Sequence, residues 1–281
     1  MIKKCISFGI SVLLYCSLVV LTGCNNSSKK NKEPDDKVLT ITVNGVSFNM
    51  VKVDGGTFMM GATPDQEDVS VWETPAHKIT LSTFYIGQYE VTQALWEAVM
   101  GTTPTQYGEQ WSFTYGLGDD YPAYNLSYTD IQTFIARLSN MTGYKFRMPT
   151  EAEWEFAARG GNMSSGYKYS GSDTLDDVGW YEENGGNTTH PVGTKKCNEL
   201  KIYDMSGNVC EWCSDWFEYD YYSTSEQTNP TGPKTGSLRV VRGGGWGKAK
   251  DCLVFTRLYF PPFMNIKGFG ARLALSSPLQ E

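Results

Sequence analysis

The sequence predicts an α+β protein, in which a few helices lie on a small sheet and a long second half has little regular structure. Three observations support this fold class. Hydrophobic residues make up 40% of the 281 residues, which is enough for a sizeable core. Strand-like alternation comes before the helical patterns along the chain. The 29 Gly and the 14% aromatic content indicate Gly-rich loops held by aromatic side chains, because each Gly costs a helix about 1 kcal/mol relative to Ala.

Residues 1–23 are predicted to be a signal peptide. Lys3 and Lys4 precede an apolar run that ends in small residues before Cys24. The run is short for a membrane span and resembles a bacterial lipoprotein signal, in which cleavage before Cys24 leaves that residue lipidated. We therefore expect a protein that a lipid anchors in the cell envelope, at the periplasmic or surface face of the outer membrane.

Residues 24–37 follow the signal and contain no large apolar residue, so they are predicted to be a disordered tether. The domain itself is predicted to occupy residues 38–281. Its partners are not expected to include nucleic acid, because the net charge is -7 and no basic stripe is present.

The domain begins with strands. Residues 38–53 alternate apolar and polar side chains around Asn44-Gly45, which predicts a hairpin with a type I′ turn. A short strand is predicted over residues 55–61, a polar surface loop over 63–74, and strand-like structure over 78–91.

Three helices follow. Thr92 is a suitable N-cap for the first helix, and Gly101 is expected to end it. For the second helix, Ser127 is the expected N-cap and Gly143 the residue past its end. Thr150 opens the third with a capping box. We assign the acidic residues of this third helix to capping and to the helix dipole rather than to acid catalysis: Glu151, Glu153 and Glu155.

In the second half of the chain only short strands are predicted, at residues 238–241 and 271–275. This half is organised around the stretch Tyr203–Trp216. That stretch contains two Trp, two Cys, three acidic residues, an Asn and a Gly. The mixture is typical neither of a plain strand nor of a plain helix. Carboxylates, an amide and a tight backbone path suit a hard cation such as Ca²⁺, which takes about 6–8 oxygen ligands. The alternative is a structural loop fixed by aromatic side chains.

Several motifs occur in an order that resembles one known family. They include the run Arg-Met-Pro-Thr-Glu-Ala-Glu-Trp-Glu, the run Asp-Met-Ser-Gly-Asn-x-x-Glu-Trp and a Gly-Gly-Gly-Trp turn, and their positions are Gly55–Gly61, Glu90–Thr92, Arg147–Gly161, Asp204–Trp216 and Arg242–Trp246. The chain is similar over nearly all of residues 48–276 to the formylglycine-generating-enzyme, or sulfatase-modifying-factor, family. The resemblance implies a fold related to C-type lectins, with low regular secondary structure and bound calcium.

The resemblance leaves the activity open, because members of this family differ in chemistry. The best-known member oxidises a sulfatase Cys to formylglycine with O2 and a copper ion held by two thiolates. Other members build ergothioneine at an iron centre, and others are envelope lipoproteins without established chemistry. The chain has only two His, His77 and His190, so it cannot supply a three-His iron site.

The family's calcium site implies four ligands in this chain. They would be the side chains of Asp204 and Glu211 and the backbone carbonyls of Gly207 and Val209. Alternating carboxylate and backbone oxygens are chemically suited to Ca²⁺.

The copper pair of the family is missing from its usual place. Lys248 stands where the first active Cys would be, and Cys252 is one residue out of register with the second. Cys210 occupies a position where the family usually has a Trp that lines the active cleft. Cys210 and Cys252 are therefore the candidate catalytic thiols, either as an improvised thiolate site for copper or as a disulfide.

Structural disulfides are the stronger expectation for the cysteines of the domain. Their number is even and the predicted compartment is oxidising. The sequence cannot choose among the pairings of Cys197, Cys210, Cys213 and Cys252.

Three functions are compatible with these observations. The first is a binding module whose aromatic cleft takes a protein, peptide or glycan. The second is a structural subunit of an envelope assembly, and the third is an oxidoreductase of the formylglycine-generating type. The residues expected to line the cleft are Trp212, Trp216, Trp246 and Tyr259.

Overall fold

The computed structural model describes residues 37–63, 66–102 and 111–277. The predicted signal peptide, Cys24 and almost all of the predicted tether lie outside these residues. Within the described ranges, no helix has the length and apolar character needed to cross a membrane.

The first sheet contains five strands in the order β1-β2-β5-β11-β6, and every neighbouring pair is antiparallel. The hairpin predicted at its edge is confirmed. Asn44 and Gly45 have φ of 45° and 84° between the two strands, as a type I′ turn requires. The strands are β1 (Val38–Val43), β2 (Val46–Val53), β5 (Phe84–Gly87), β6 (Phe146–Arg147) and β11 (Ala274–Ser276).

The strand-like structure predicted over residues 78–91 divides into two strands of different sheets. β4 (His77–Leu81) pairs with β3 (Gly56–Met60), whereas β5 belongs to the first sheet. Alternation of apolar and polar residues indicates an extended segment but does not show which strand it pairs with. The division into two strands was therefore not predictable. The surface loop predicted over 63–74 is also partly wrong, because a 3₁₀ turn places Glu73 in the interior at 1% exposure.

All three predicted helices begin at the expected residues and the first two also end at them, whereas the third ends at Ala158, before the expected Gly160-Gly161. Thr92, Ser127 and Thr150 each accept a hydrogen bond from the backbone of the first turn, and Gly101 and Gly143 close the first two helices in the left-handed conformation. The helices are α1 (Gln93–Met100), α2 (Tyr128–Thr142), α3 (Glu151–Ala158) and the short α4 (Leu175–Val178) and α5 (Tyr221–Thr224).

The second sheet corrects the interpretation of the stretch Tyr203–Trp216, because its second half is a regular strand. That strand, β7, lies inside a four-stranded sheet of order β10-β7-β8-β9, parallel to β10 and antiparallel to β8. Its first four residues are all buried, and a strand covered on both faces does not alternate in polarity. The strands are β7 (Cys210–Trp216), β8 (Arg239–Arg242), β9 (Leu258–Phe260) and β10 (Phe269–Gly270).

The two faces of this sheet bury different hydrophobic clusters. Trp212 lies opposite Val241 and packs in the cluster beneath α1 and α2. Val240 lies opposite Tyr259, and both belong to the cluster beneath α3. Since neighbouring residues of a strand point to opposite faces, the sheet separates residues that are close in sequence.

Candidate functional site

Glu211 forms a buried ion pair with Arg272. The Nε atom of Arg272 lies 3.0 Å from both carboxylate oxygens, and Nη2 lies 2.7 Å from Oε1. Trp154 donates its indole N–H to Oε2 at 2.7 Å. Burial by itself lowers the pKa of the Arg272 guanidinium, but the Glu211 carboxylate and its hydrogen bonds outweigh burial and hold that pKa above its usual value.

Two more carboxyl groups belong to this acidic centre. Glu90 accepts hydrogen bonds from the Val209 N–H at 3.0 Å and from the Asn208 amide at 2.7 Å. Burial, and then the charge of Asp204, raise the pKa of Glu90 well above its usual value. Burial also raises the pKa of Asp204 to about 6.

Asp204 fits the predicted role of a cation ligand in part. Its Oδ2 accepts the Gly193 N–H at 2.7 Å, whereas its Oδ1 is buried without a hydrogen-bond partner. An orphaned carboxylate oxygen is the kind of atom that a cation would satisfy.

Glu211 does not fit that role in this structure. Its two oxygens already accept four hydrogen-bonding contacts from Arg272 and Trp154, and the guanidinium neutralises its charge. The described residues contain no group of three or more His, Cys, Asp or Glu side chains placed to hold a metal. Within the predicted set, the Glu211 carboxylate therefore does not fit calcium in this structure, and calcium binding by Asp204 and the backbone carbonyls of Gly207 and Val209 remains a prediction.

The two candidate catalytic thiols lie on either side of one turn. A side chain at Gly245 would start 3.2 Å from the Cys210 sulfur, and the Cys252 sulfur lies 3.7 Å from the Gly245 carbonyl oxygen. Both are deeply buried, with exposures of 5% and 0%. Burial, followed by the charges of neighbouring groups, raises the pKa of each thiol well above its usual value.

These thiols are poorly suited to nucleophilic or copper chemistry. Both reactions use the thiolate, and a raised pKa keeps the thiol protonated at neutral pH. Cu(I) prefers soft thiolate ligands, so Cys210 and Cys252 do not fit a copper pair while they are buried in this way.

The expected structural disulfides are absent, since all four cysteines of the described residues are free. For Cys210 and Cys213 the physical reason is that they lie on the two sides of the second sheet, in different hydrophobic clusters. Neighbours two or three positions apart on a strand cannot reach each other across such a core.

The aromatic residues predicted to line one cleft do not do so. Trp212 is completely buried, and its indole donates to the Leu126 carbonyl at 2.9 Å. Trp246 is half-buried and stacks on Tyr115, with ring centroids 6.4 Å apart and planes 13° apart.

The other two residues lie on opposite faces of the second sheet. Trp216 lies under the guanidinium of Arg239, whose carbon is 3.4 Å from the ring centroid. Tyr259 stacks on Phe217 at 4.0 Å on the other face, and its hydroxyl lies 3.0 Å from that of Tyr219. A single aromatic cleft was therefore a wrong prediction.

A buried charge network is the largest feature that the sequence did not reveal. Two acidic residues of α3, Glu151 and Glu155, bind Arg side chains from distant segments and are not merely part of the helix start. Glu151 accepts two bonds from Arg257, at 2.7 and 2.9 Å, and Glu155 pairs with Arg159 and Arg242. Four residues of this network are almost completely buried, so the network belongs to the core: Glu151, Glu155, Arg242 and Arg257. The signal in the sequence was the excess of acids in a helix without lysines.

Asp215 next to this network predicts a pH-dependent stability. Its Oδ2 accepts the Glu151 N–H at 2.9 Å and the Ser214 hydroxyl at 3.0 Å. Burial, and then the charge of Glu151, raise the pKa of Asp215 from 3.8 to about 7. Because the pKa of Asp215 is higher in the folded than in the unfolded protein, its contribution to the free energy of unfolding is fully present below about pH 4. This contribution is lost as the pH rises to about 7.

We expect Asp215→Asn to remove this loss, since an amide keeps the oxygen acceptor and does not titrate. Between pH 4 and pH 8 the free energy of unfolding of the wild type should fall by up to about 4 kcal/mol more than that of the variant. This figure follows from about 1.4 kcal/mol per unit of pKa difference. Urea unfolding across this pH range measures the difference, with the exposed Asp220→Asn as a matched control. Equal pH dependence in wild type and Asp215→Asn would contradict the prediction.

The mixed sheets, the few helices and the Gly-rich turn that follows β8 define the class of protein. A family profile described as "Sulfatase-modifying factor enzyme 1-like domain" matches residues 42–277. The chain belongs to this family, as the motifs had indicated.

Three proteins illustrate the range of this similarity. The "Chaperone protein LppX" of Paenibacillus barcinonensis is 35% identical over 268 residues, which cover 80% of this chain and 87% of that protein. The "Formylglycine-generating enzyme" of Streptomyces coelicolor is 30% identical over 252 residues, covering 70% of this chain and 78% of the enzyme. The solved structure of "Treponema denticola variable protein 1" aligns with a TM-score of 0.75 at 31% identity, over 86% of this chain and 99% of that one. The family therefore contains both enzymes and proteins named for other roles.

Proposed function

We propose that this protein is a lipid-anchored binding or assembly module of the cell envelope rather than a formylglycine-generating oxidase. The observation that carries the proposal is the state of the candidate thiols: Cys252 is fully buried and its pKa is raised by burial. Lys248, which stands in place of the family's first active Cys, is exposed and offers no second thiol.

The similarity to a protein named a chaperone supports a role in binding other proteins. The domain is held by buried ion pairs and aromatic contacts, which suit a stable scaffold that presents a surface. Lipidation at Cys24 would place this scaffold on a membrane of the envelope, and we propose the outer membrane as its location.

The second candidate function is oxidation of a sulfatase Cys with Cys252 and Cys210 as thiolates. One observation favours it, since both sulfurs lie against Gly245 in the Gly-rich turn, and the family's active pair follows this turn in the sequence. This activity would require the turn to open and expose both thiols to substrate, O2 and copper.

Incubation with a peptide that contains Cys-x-Pro-x-Arg, with copper and O2, separates the two functions. We expect no mass loss at the peptide Cys, because a protonated and buried thiol does not bind Cu(I) as a thiolate. The formylglycine-generating enzyme of Streptomyces coelicolor serves as the active control.

Conversion of the peptide would overturn the proposed binding role. In that event Cys252→Ser tests the second candidate, and a variant that retains full conversion rules out Cys252 as the active thiol.

A further inference from the structure

A cavity of about 310 Å³ lies between the first sheet and the start of α1. It is open on one side and is separate from the Gly245 turn and its thiols. Apolar and polar surface contribute about equally to its walls, which come from β2, the start of α1, the loop around Val192 and the approach to β11. The apolar residues of the walls are Val46, Phe48, Val91, Ala94, Leu95, Val192 and Leu273.

Two acidic residues also line this cavity. Asp119 and Asp120 are exposed, and within the described residues their side chains make no hydrogen bond or ion pair. Their backbone carbonyls accept the N–H groups of Ala94 at 3.2 Å and Val192 at 2.8 Å, which hold both residues against the walls. Two adjacent acidic residues are therefore held at the cavity by their backbone, and no ion pair within the described ranges neutralises them.

The remaining carboxyl group of the lining does not contribute charge to the cavity. The oxygens of Glu90 accept hydrogen bonds from Asn208 and Val209 on the side of the second sheet. The acidic character of the cavity thus comes from Asp119 and Asp120.

From this geometry we propose that the cavity binds a primary ammonium group carried on an unbranched aliphatic stem. The stem would bury its methylene groups against the apolar residues of the walls, and the ammonium would form charge-assisted hydrogen bonds with Asp119 and Asp120. The volume lies at the lower end of the range of about 300–1,000 Å³ for ligand pockets, which suits a ligand the size of a lysine side chain. An anion would be repelled, and a neutral apolar ligand would leave the carboxylates unpaired.

The position of the carboxylates near α1 has a second physical effect. No residue of the first turn of α1 is acidic, and negative charge near a helix N-terminus stabilises it by about 0.3–1 kcal/mol. This effect concerns stability alone and requires no cavity, so a direct binding measurement distinguishes it from ligand recognition.

The test is isothermal titration of the full chain in detergent with Nα-acetyl-lysine amide. Nα-acetyl-norleucine amide is the matched ligand, since it keeps the stem and lacks the ammonium. We expect saturable binding of the lysine compound and at least about tenfold weaker binding of the norleucine compound, which corresponds to about 1.4 kcal/mol. Equal binding of both compounds, or no saturable binding of either, would overturn the proposal.

Variants locate the binding in the cavity. The double variant Asp119→Asn/Asp120→Asn should weaken the lysine compound at least about tenfold, and Ala94→Phe should do so by filling the hollow while both carboxylates remain. Glu97→Gln removes an exposed charge from the same helix and should leave binding unchanged. Unaltered affinity in the double variant would exclude these carboxylates as the ligands of the ammonium.

A titration with 1,5-diaminopentane distinguishes the source of the ammonium. Tighter binding of the diamine than of the lysine compound would indicate a free polyamine, and the reverse would indicate a lysine of a partner protein. Saturable binding of neither compound overturns the proposal for both sources.

Discussion

Replacing Arg272 with Met is expected to lower the free energy of unfolding by about 3–5 kcal/mol, because removing one partner of a buried pair leaves the other charge uncompensated. Glu211 would keep only the indole N–H of Trp154. Two backbone carbonyls, of Gly87 at 2.9 Å and Tyr203 at 2.8 Å, would also lose their donor. The effect is large because the guanidinium joins the first sheet to the segment before β7.

Chemical unfolding of wild type and Arg272→Met measures this loss, and it should be run with Ca²⁺ and with a chelator. The loss should be the same in both, since Arg272 and not a metal neutralises Glu211 in this structure. Arg137→Met removes an exposed guanidinium and should change stability by less than about 0.5 kcal/mol. Recovery of Arg272→Met by Ca²⁺ would show that Glu211 is a metal ligand after all.

The second large effect is expected at Arg242, which has no exposed surface. It pairs with Glu155, and it donates to the carbonyls of Val254 at 3.0 Å, Phe255 at 2.8 Å and Thr256 at 2.7 Å. Arg242→Met would leave three carbonyls and the Oε2 atom of Glu155 without this donor in the core. We expect a loss of about 3–5 kcal/mol or failure to fold.

Arg159 provides the matched comparison, since it pairs with the same Glu155 carboxylate but is 17% exposed at its side chain. Arg159→Met should cost clearly less than Arg242→Met, because water can reach the vacated position. A double-mutant cycle with Glu155→Gln should give a double variant that is less destabilised than the sum of the single variants. Additive losses would mean that the two side chains do not stabilise each other.

The parts of the fold that depend on local chemistry could be predicted from the sequence. The Asn44-Gly45 turn and the three helix N-caps follow from backbone preferences and from hydrogen bonds within a few residues. The division of residues 78–91 between two sheets was not predictable, because it depends on pairing with strands far away in the chain.

The candidate site was predictable to a lesser extent, and for a similar reason. The motifs placed Asp204, Glu211 and the Gly-rich turn correctly within one family. They could not show that the Glu211 carboxylate pairs with Arg272, which lies sixty-one positions further along the chain. They also could not show that Trp216 and Tyr259 face away from each other, since this depends on the register of β7, β8 and β9.

The position of β11 has a consequence for the order in which the first sheet can form. Strand β11 contains residues 274–276, yet it lies inside the first sheet between β5 and β6. Neither β5 nor β6 can complete its backbone hydrogen bonds until residues 274–276 have paired with it. The first sheet is therefore complete only after segments from opposite ends of the domain have paired, and contacts of such large sequence separation favour slow folding.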